Sequence, residues 1–124
     1  MATDSIVVVG GGLAAGRLAA EYRESGGEED VTILSAEPDP PYHRPPLTKG
    51  FLRGEQDRDS TLLQELPEWE EAVVEVRLES PVAAIHPDDH EVELAGGERV
   101  GYGTLVLATG ARPRELAVPG ADLV

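Results

Sequence analysis

The chain has 124 residues, which suits one domain around a single core. Its 24 acidic residues outweigh 10 basic ones, and a net charge of −14 argues against nucleic acid and anionic membrane as partners, since neither gains from counterion release here. Cysteine is absent, which excludes disulfides, thiolate-held metals, iron–sulfur clusters and a redox dithiol. Hydrophobic residues at 40% mark the chain as globular, and with one Phe, one Trp and three Tyr the core falls to Val, Leu, Ile and Ala. No apolar run approaches a membrane span. The first begins at Ser5 with no basic leader, so the reading is a cytoplasmic protein without a signal peptide.

Ser5–Val9, "SIVVV", is a short β-branched run of the kind that forms a strand buried on both faces of a parallel sheet. Gly10, Gly11 and Gly12 break it. From Leu13 the apolar positions Leu13, Ala14, Leu18, Ala19 and Tyr22 recur at helical spacing, and Gly26 and Gly27 end that helix. Val31–Ser35 reads as a second strand, completing a βαβ unit. A proline-rich loop follows, then a short helix expected around Leu47–Arg53 and a polar surface loop over Gly54–Ser60. Pro67 opens another short helix, "PEWEEA", because its fixed φ suits a first turn. Val73–Leu78 is a third strand. Val82–His86, Glu91–Ala95 and Arg99–Tyr102 form an antiparallel meander joined by "PDD" and "GGE" turns, and Thr104–Ala108 returns to the buried-strand composition of the start. Pro113 and Pro119 mark an extended exit.

The expected class is therefore α/β: a parallel sheet of Rossmann type with an inserted antiparallel β-meander. Gly10-x-Gly12-x-x-Ala15 between strand and helix fits the dinucleotide fingerprint. The first glycine allows the tight turn, the second lets the backbone reach a pyrophosphate, and Ala15 lets the helix pack close to the strand. Helix N–H groups and the macrodipole favour the phosphates. Glu37, just after the second strand, is placed to accept hydrogen bonds from ribose hydroxyls. A glycine triplet alone is often only a turn, and the βαβ unit itself serves FAD and NAD alike.

The stretch "PPYHRPPLTKG", Pro40–Gly50, is more specific. Five of the ten prolines fall between Pro38 and Pro46, and the sole lysine, Lys49, lies just beyond. With "AEPDP" before it and "LVLATGARPR" after, it resembles the FAD domain of ferredoxin and rubredoxin reductases. These are flavoproteins of the pyridine nucleotide–disulfide oxidoreductase superfamily that lack the redox disulfide, in keeping with the missing cysteine. The likeness spans essentially the whole chain. It implies that Gly10, Gly12, Leu13 and Ala14 line the FAD pyrophosphate, with Ala15 completing the cofactor-binding fingerprint through close helix packing. Glu37 would meet the ribose, and Arg44 the phosphate–ribityl region. It also implies Lys49 as the catalytic cation near the reactive nitrogen of the flavin, Val82 as a backbone contact to adenine, and Ala108, Thr109 and Gly110 as the closing segment. No metal is implied. NAD(P)H would be the co-substrate of the intact enzyme, and a ferredoxin or rubredoxin its electron acceptor.

Three departures from the family pattern stand out. The ribose acid usually falls one position earlier, where this chain has Ala36. A Tyr-Asp pair before the last strand appears as Tyr102–Gly103. The chain is also short for such a reductase, so residues 1–124 are expected to be the N-terminal part of an FAD-binding domain, without the NAD-binding and C-terminal domains. The competing class is a non-catalytic nucleotide-binding module or fold fragment. Plainer roles are assigned elsewhere: packing for Tyr42 and His43, a solvated turn for His86 and His90, and a simple exit for Arg112 and Arg114.

Overall fold

A computed structural model describes residues 4–123. Four strands form a parallel sheet in the order β3-β2-β1-β7. These are β1 (Ile6–Val9), β2 (Val31–Leu34), β3 (Val74–Arg77) and β7 (Thr104–Leu107). β1 pairs in register with β2 and β7, Val8 facing Ile33 on one side and Val106 on the other. As a central strand it is covered on both faces, which is why Val7, Val8 and Val9 are all buried and the run shows no polar alternation.

One face takes the helices. α1 (Leu13–Glu24) lays Ala15 and Ala19 against the sheet, and these small residues let its axis come close. Val8, Val31, Ile33 and Val74 close this core with Trp69 of α2 (Leu66–Glu71). α1 ends in a Schellman arrangement: the Gly27 N–H donates to Tyr22 O and the Gly26 N–H to Arg23 O, with Gly26 at φ 90°. Arg23 then ties the helix end to the α2–β3 corner, donating to the carbonyls of Ala72, Val73 and Gly27 at 2.8–2.9 Å. α2 opens with a reciprocal capping box between Glu65 and Glu68, a signal the sequence reading passed over.

The other face takes the meander, an antiparallel sheet of β4 (Val82–His86), β5 (Glu91–Leu94) and β6 (Arg99–Gly101). Val92 and Leu94 bury themselves on Val7, Val9 and Leu34. The N–H groups of Gly103 and Thr104 both donate to Ser5 O, which returns the chain to the start of β1 and launches β7 beside it. The meander thus sits between β3 and β7 in sequence, as expected.

One expected element changes. Instead of a helix over Leu47–Arg53 the chain makes a single 3-10 turn, Pro45–Thr48, and then irregular turns. Pro45 and Pro46 suit a first turn, but Gly50 and Gly54 follow and Gly54 takes φ 76°, so the ladder does not propagate. Among the described residues no helix is long and apolar enough to cross a membrane.

Candidate functional site

From β1 the chain steps outward to β2 and β3, then returns to β7 on the opposite flank of β1. The strand order therefore reverses between β1 and β7, and open α/β sheets bind ligands at such a switch point, outside the carboxyl ends of the strands. The glycine loop lies there. The Gly10 N–H continues the ladder to Leu34 O at 2.9 Å, and the Ala108 N–H donates to Val9 O at 2.8 Å. Gly10 takes φ 118°, and a Cβ on it would stand 2.0 Å from Ala108 O. Only glycine lets these two strand ends meet. Thr109 and Gly110 follow Ala108 into an exposed segment, Gly110 at φ 74°.

Gly12 is the N-cap of α1 and offers no side chain to the leading N–H groups of the helix. Those donors, with the dipole behind them, face the loop unshielded. Leu13 and Ala14 form the first turn there, half-buried and exposed respectively, while Ala15 is buried against the sheet.

Arg44 brings a positive charge to this end. A Cβ on Gly12 would lie 3.9 Å from Arg44 Nη2. The same nitrogen donates to Glu37 Oε1 at 3.1 Å, and Nη1 donates to the Tyr42 hydroxyl at 3.0 Å. The guanidinium carbon also stands 5.0 Å from the Tyr42 ring centroid. Glu37's hydrogen bond raises the Arg44 pKa above its already high value, with burial opposing and Tyr42 adding to the rise. Arg44 is therefore charged throughout the working pH range.

Glu37 reaches this position because Ser35 turns the chain: Ser35 Oγ accepts the Glu37 N–H at 3.1 Å. Its second carboxylate oxygen, Oε2, is buried and accepts no hydrogen bond from the described residues. The Glu79 N–H donates to Glu37 O and the Ser80 N–H to Ser35 O. That pairing brings the start of β4 to the same end of the sheet, and the β4–β5 register shifts between Val82 and Ala84. Such a bulge frees backbone groups near Val82 from the ladder.

Lys49 stands apart. It ends the 3-10 turn, its side chain is exposed, and among the described residues no hydrogen bond or ion pair joins it to the glycine loop. Among these residues no group of His, Asp and Glu is arranged to hold a metal ion.

A profile of the pyridine nucleotide-disulphide oxidoreductases matches residues 4–124. The chain belongs to that family. This member is 39% identical over 119 residues to rhodocoxin reductase of Rhodococcus erythropolis, covering 96% of the chain and 28% of the relative. Its fold superposes with a TM-score of 0.90 on the crystal structure of a covalent putidaredoxin reductase–putidaredoxin complex, at 36% identity over 95% of the chain and 28% of that one. NADH:rubredoxin oxidoreductase from Clostridium acetobutylicum gives 0.82 at 29% identity, covering 96% and 31%. The chain thus spans under a third of the length of these oxidoreductases.

Two site residues of this family member escaped the sequence reading. Tyr42 was assigned to packing but carries Arg44 through both its ring and its hydroxyl. Gly16, one position past the fingerprint, would place a Cβ 2.8 Å from both Pro41 Cβ and Leu63 Cδ2. The available signal was a glycine inside a helix, which costs stability unless something packs against it.

Proposed function

We propose that the chain is the FAD-binding segment of an NAD(P)H-dependent flavoprotein reductase whose intact form passes electrons from nicotinamide through FAD to a ferredoxin or rubredoxin. The observation that carries this reading is the Gly10–Ala108 approach at the switch point, with Arg44 held 3.9 Å from the side-chain position of Gly12. The site fits a dinucleotide on its own chemistry. Bare helix N–H groups and one charged guanidinium suit a pyrophosphate, and the buried unpartnered Glu37 Oε2 suits ribose hydroxyls.

When bound, FAD would supply the conversion between two-electron chemistry with nicotinamide and the one-electron chemistry that an iron–sulfur or rubredoxin-type acceptor requires. The protein's own part is binding and electrostatics. Gly10, Gly12, Leu13 and Ala14 bring backbone close to the phosphates, and Ala15 lets the helix pack close to the sheet behind them. Arg44 neutralises them, and Glu37 selects the adenosine ribose. Val82 offers backbone to the adenine, and Ala108, Thr109 and Gly110 close the far side. Lys49 supplies a positive charge toward the ring, where negative charge develops on reduction.

The deciding experiment is to purify the chain, record its absorption, add excess FAD, then denature it and identify what is released. FAD in the released fraction supports the reading. NAD in its place would overturn it, and no ligand even with excess FAD would favour a non-catalytic fold fragment. In the intact reductase, Lys49→Ala is expected to slow reduction by nicotinamide and lower the flavin potential. Unchanged values of both would remove Lys49 from the ring.

A further inference from the structure

We propose that Tyr42 is the positioning residue that holds the Arg44 guanidinium over the phosphate loop, with the Gly16–Pro41 contact fixing the loop that carries both. The inference deepens the nucleotide-binding reading and rests on it.

The Arg44 side chain is 54% exposed, and a free arginine head loses rotamer freedom when an anion orders it. Tyr42 restrains it in advance in two independent ways. Its hydroxyl accepts from Nη1 at 3.0 Å, and its ring stands 5.0 Å from the guanidinium carbon. Glu37 takes one donor of Nη2. A guanidinium carries five N–H donors, so three remain for an incoming phosphate without displacing either partner.

Tyr42 is itself held against α1. The Leu63 N–H donates to Pro41 O at 2.8 Å and the His43 N–H to Thr61 O at 2.7 Å, with Tyr42 bridged to Leu62 between them. Arg58 pairs with Asp39 and straps the same two segments together. Pro41 and Leu63 then seat on Gly16, where there is no room for a methyl group. A continuous chain of contacts runs from the second turn of α1 through Pro41 and Tyr42 to Arg44, and so back to the N-terminus of the same helix.

The test is a set of titrations with FAD, inorganic pyrophosphate and adenosine on the wild type, Tyr42→Leu, Arg44→Gln and the double variant, with melting temperatures recorded. Tyr42→Leu is expected to weaken FAD and pyrophosphate about fivefold, to spare adenosine, and to add nothing on the Arg44→Gln background. Tyr42→Phe, which keeps the ring, should fall between; Gly16→Ala should reproduce the anion-selective loss. Equal losses for adenosine and pyrophosphate, or additive losses in the double variant, would overturn the proposal and leave Tyr42 a packing residue. Should the wild type bind pyrophosphate but not FAD, the cofactor reading falls and the pyrophosphate cycle still decides Tyr42. Binding of neither overturns both.

Discussion

Arg44 Nη2 sits 3.1 Å from Glu37 Oε1, so one oxygen of that carboxylate is engaged while the other, Oε2, is buried and unpartnered. The Glu37 side chain is partly exposed, but leaving that one buried oxygen unpaired is costly, and a hydroxyl donor brought by a ligand relieves the cost. On the proposed reading the pair divides its work, the guanidinium serving phosphate and the free oxygen serving ribose. Glu37→Ala is expected to weaken ADP by about tenfold or more, the scale of a hydrogen bond to a charged group, and to spare inorganic pyrophosphate. Calorimetric titration with the two ligands separates these effects. A larger loss for pyrophosphate than for ADP would assign Glu37 to Arg44 alone.

The two fingerprint glycines answer different physical demands. At Gly10 a Cβ would sit 2.0 Å from a backbone oxygen on a residue at φ 118°, and nothing there can give way without parting β1 from β7. Gly10→Ala is expected to cost about 3 kcal/mol, the combined scale of overpacking and backbone strain. Gly12 takes φ −83°, and its Cβ would touch only Arg44 at an ordinary 3.9 Å. Gly12→Ala should therefore lower the urea midpoint far less than Gly10→Ala, by about the 1 kcal/mol of a poorer N-cap, while weakening dinucleotide binding because the methyl occupies the approach to the helix N-terminus. Urea denaturation of both variants beside FAD titration tests the contrast.

The parts of this fold that were readable in the sequence are those specified by local pattern. "SIVVV", three glycines, a helical periodicity and "VTILS" dictate β1, α1 and β2 with little outside help. The meander was equally plain, since its turns carry their own Gly and Asp signals. What could not be read was set by contacts distant in sequence. Nothing local in "PYHRPPL" says that Pro41 seats on Gly16 or that Tyr42 carries Arg44; both follow from how the loop folds back on α1. Leu47–Arg53 misled for the opposite reason: a proline-led helix start was present, but the glycines after it let the chain turn away. Lys49 entered by resemblance alone, and its exposed position adds no contact of its own to the argument.

Three described non-glycine residues take positive φ, Val73, Glu79 and His90, and Val73 alone among them is β-branched. It takes φ 57°, a left-handed conformation unfavourable for a β-branched side chain, and that side chain is 68% exposed. Arg23 holds its carbonyl at 2.8 Å and so keeps the corner between α2 and β3 in place. Val73→Gly is expected to stabilise the fold by about 1 kcal/mol, the left-handed penalty less the added chain entropy of glycine. Thermal unfolding reads this directly. On an Arg23→Gln background the corner loses its clamp, and the gain from glycine should persist because it arises from φ rather than from the hydrogen bond.

Trp69 is the largest fully buried side chain, at 1% exposure, and is the only tryptophan in the sequence. It plugs the gap between α1 and the β2–β3 half of the sheet, yet its indole Nε1 is buried with no acceptor among the described residues. Two opposing terms follow. Trp69→Ala removes the whole plug and is expected to cost about 3–5 kcal/mol through lost burial and the cavity left behind. Trp69→Phe leaves a smaller void and also deletes the orphan donor, whose desolvation penalty is about 1–3 kcal/mol. Phenylalanine should therefore lie well within half of the alanine loss. Equilibrium urea unfolding, followed by far-UV circular dichroism in the variants that lack the fluorophore, measures both. A Phe variant as unstable as Ala would mean that the indole nitrogen is satisfied in solution and that shape alone fixes tryptophan at this position.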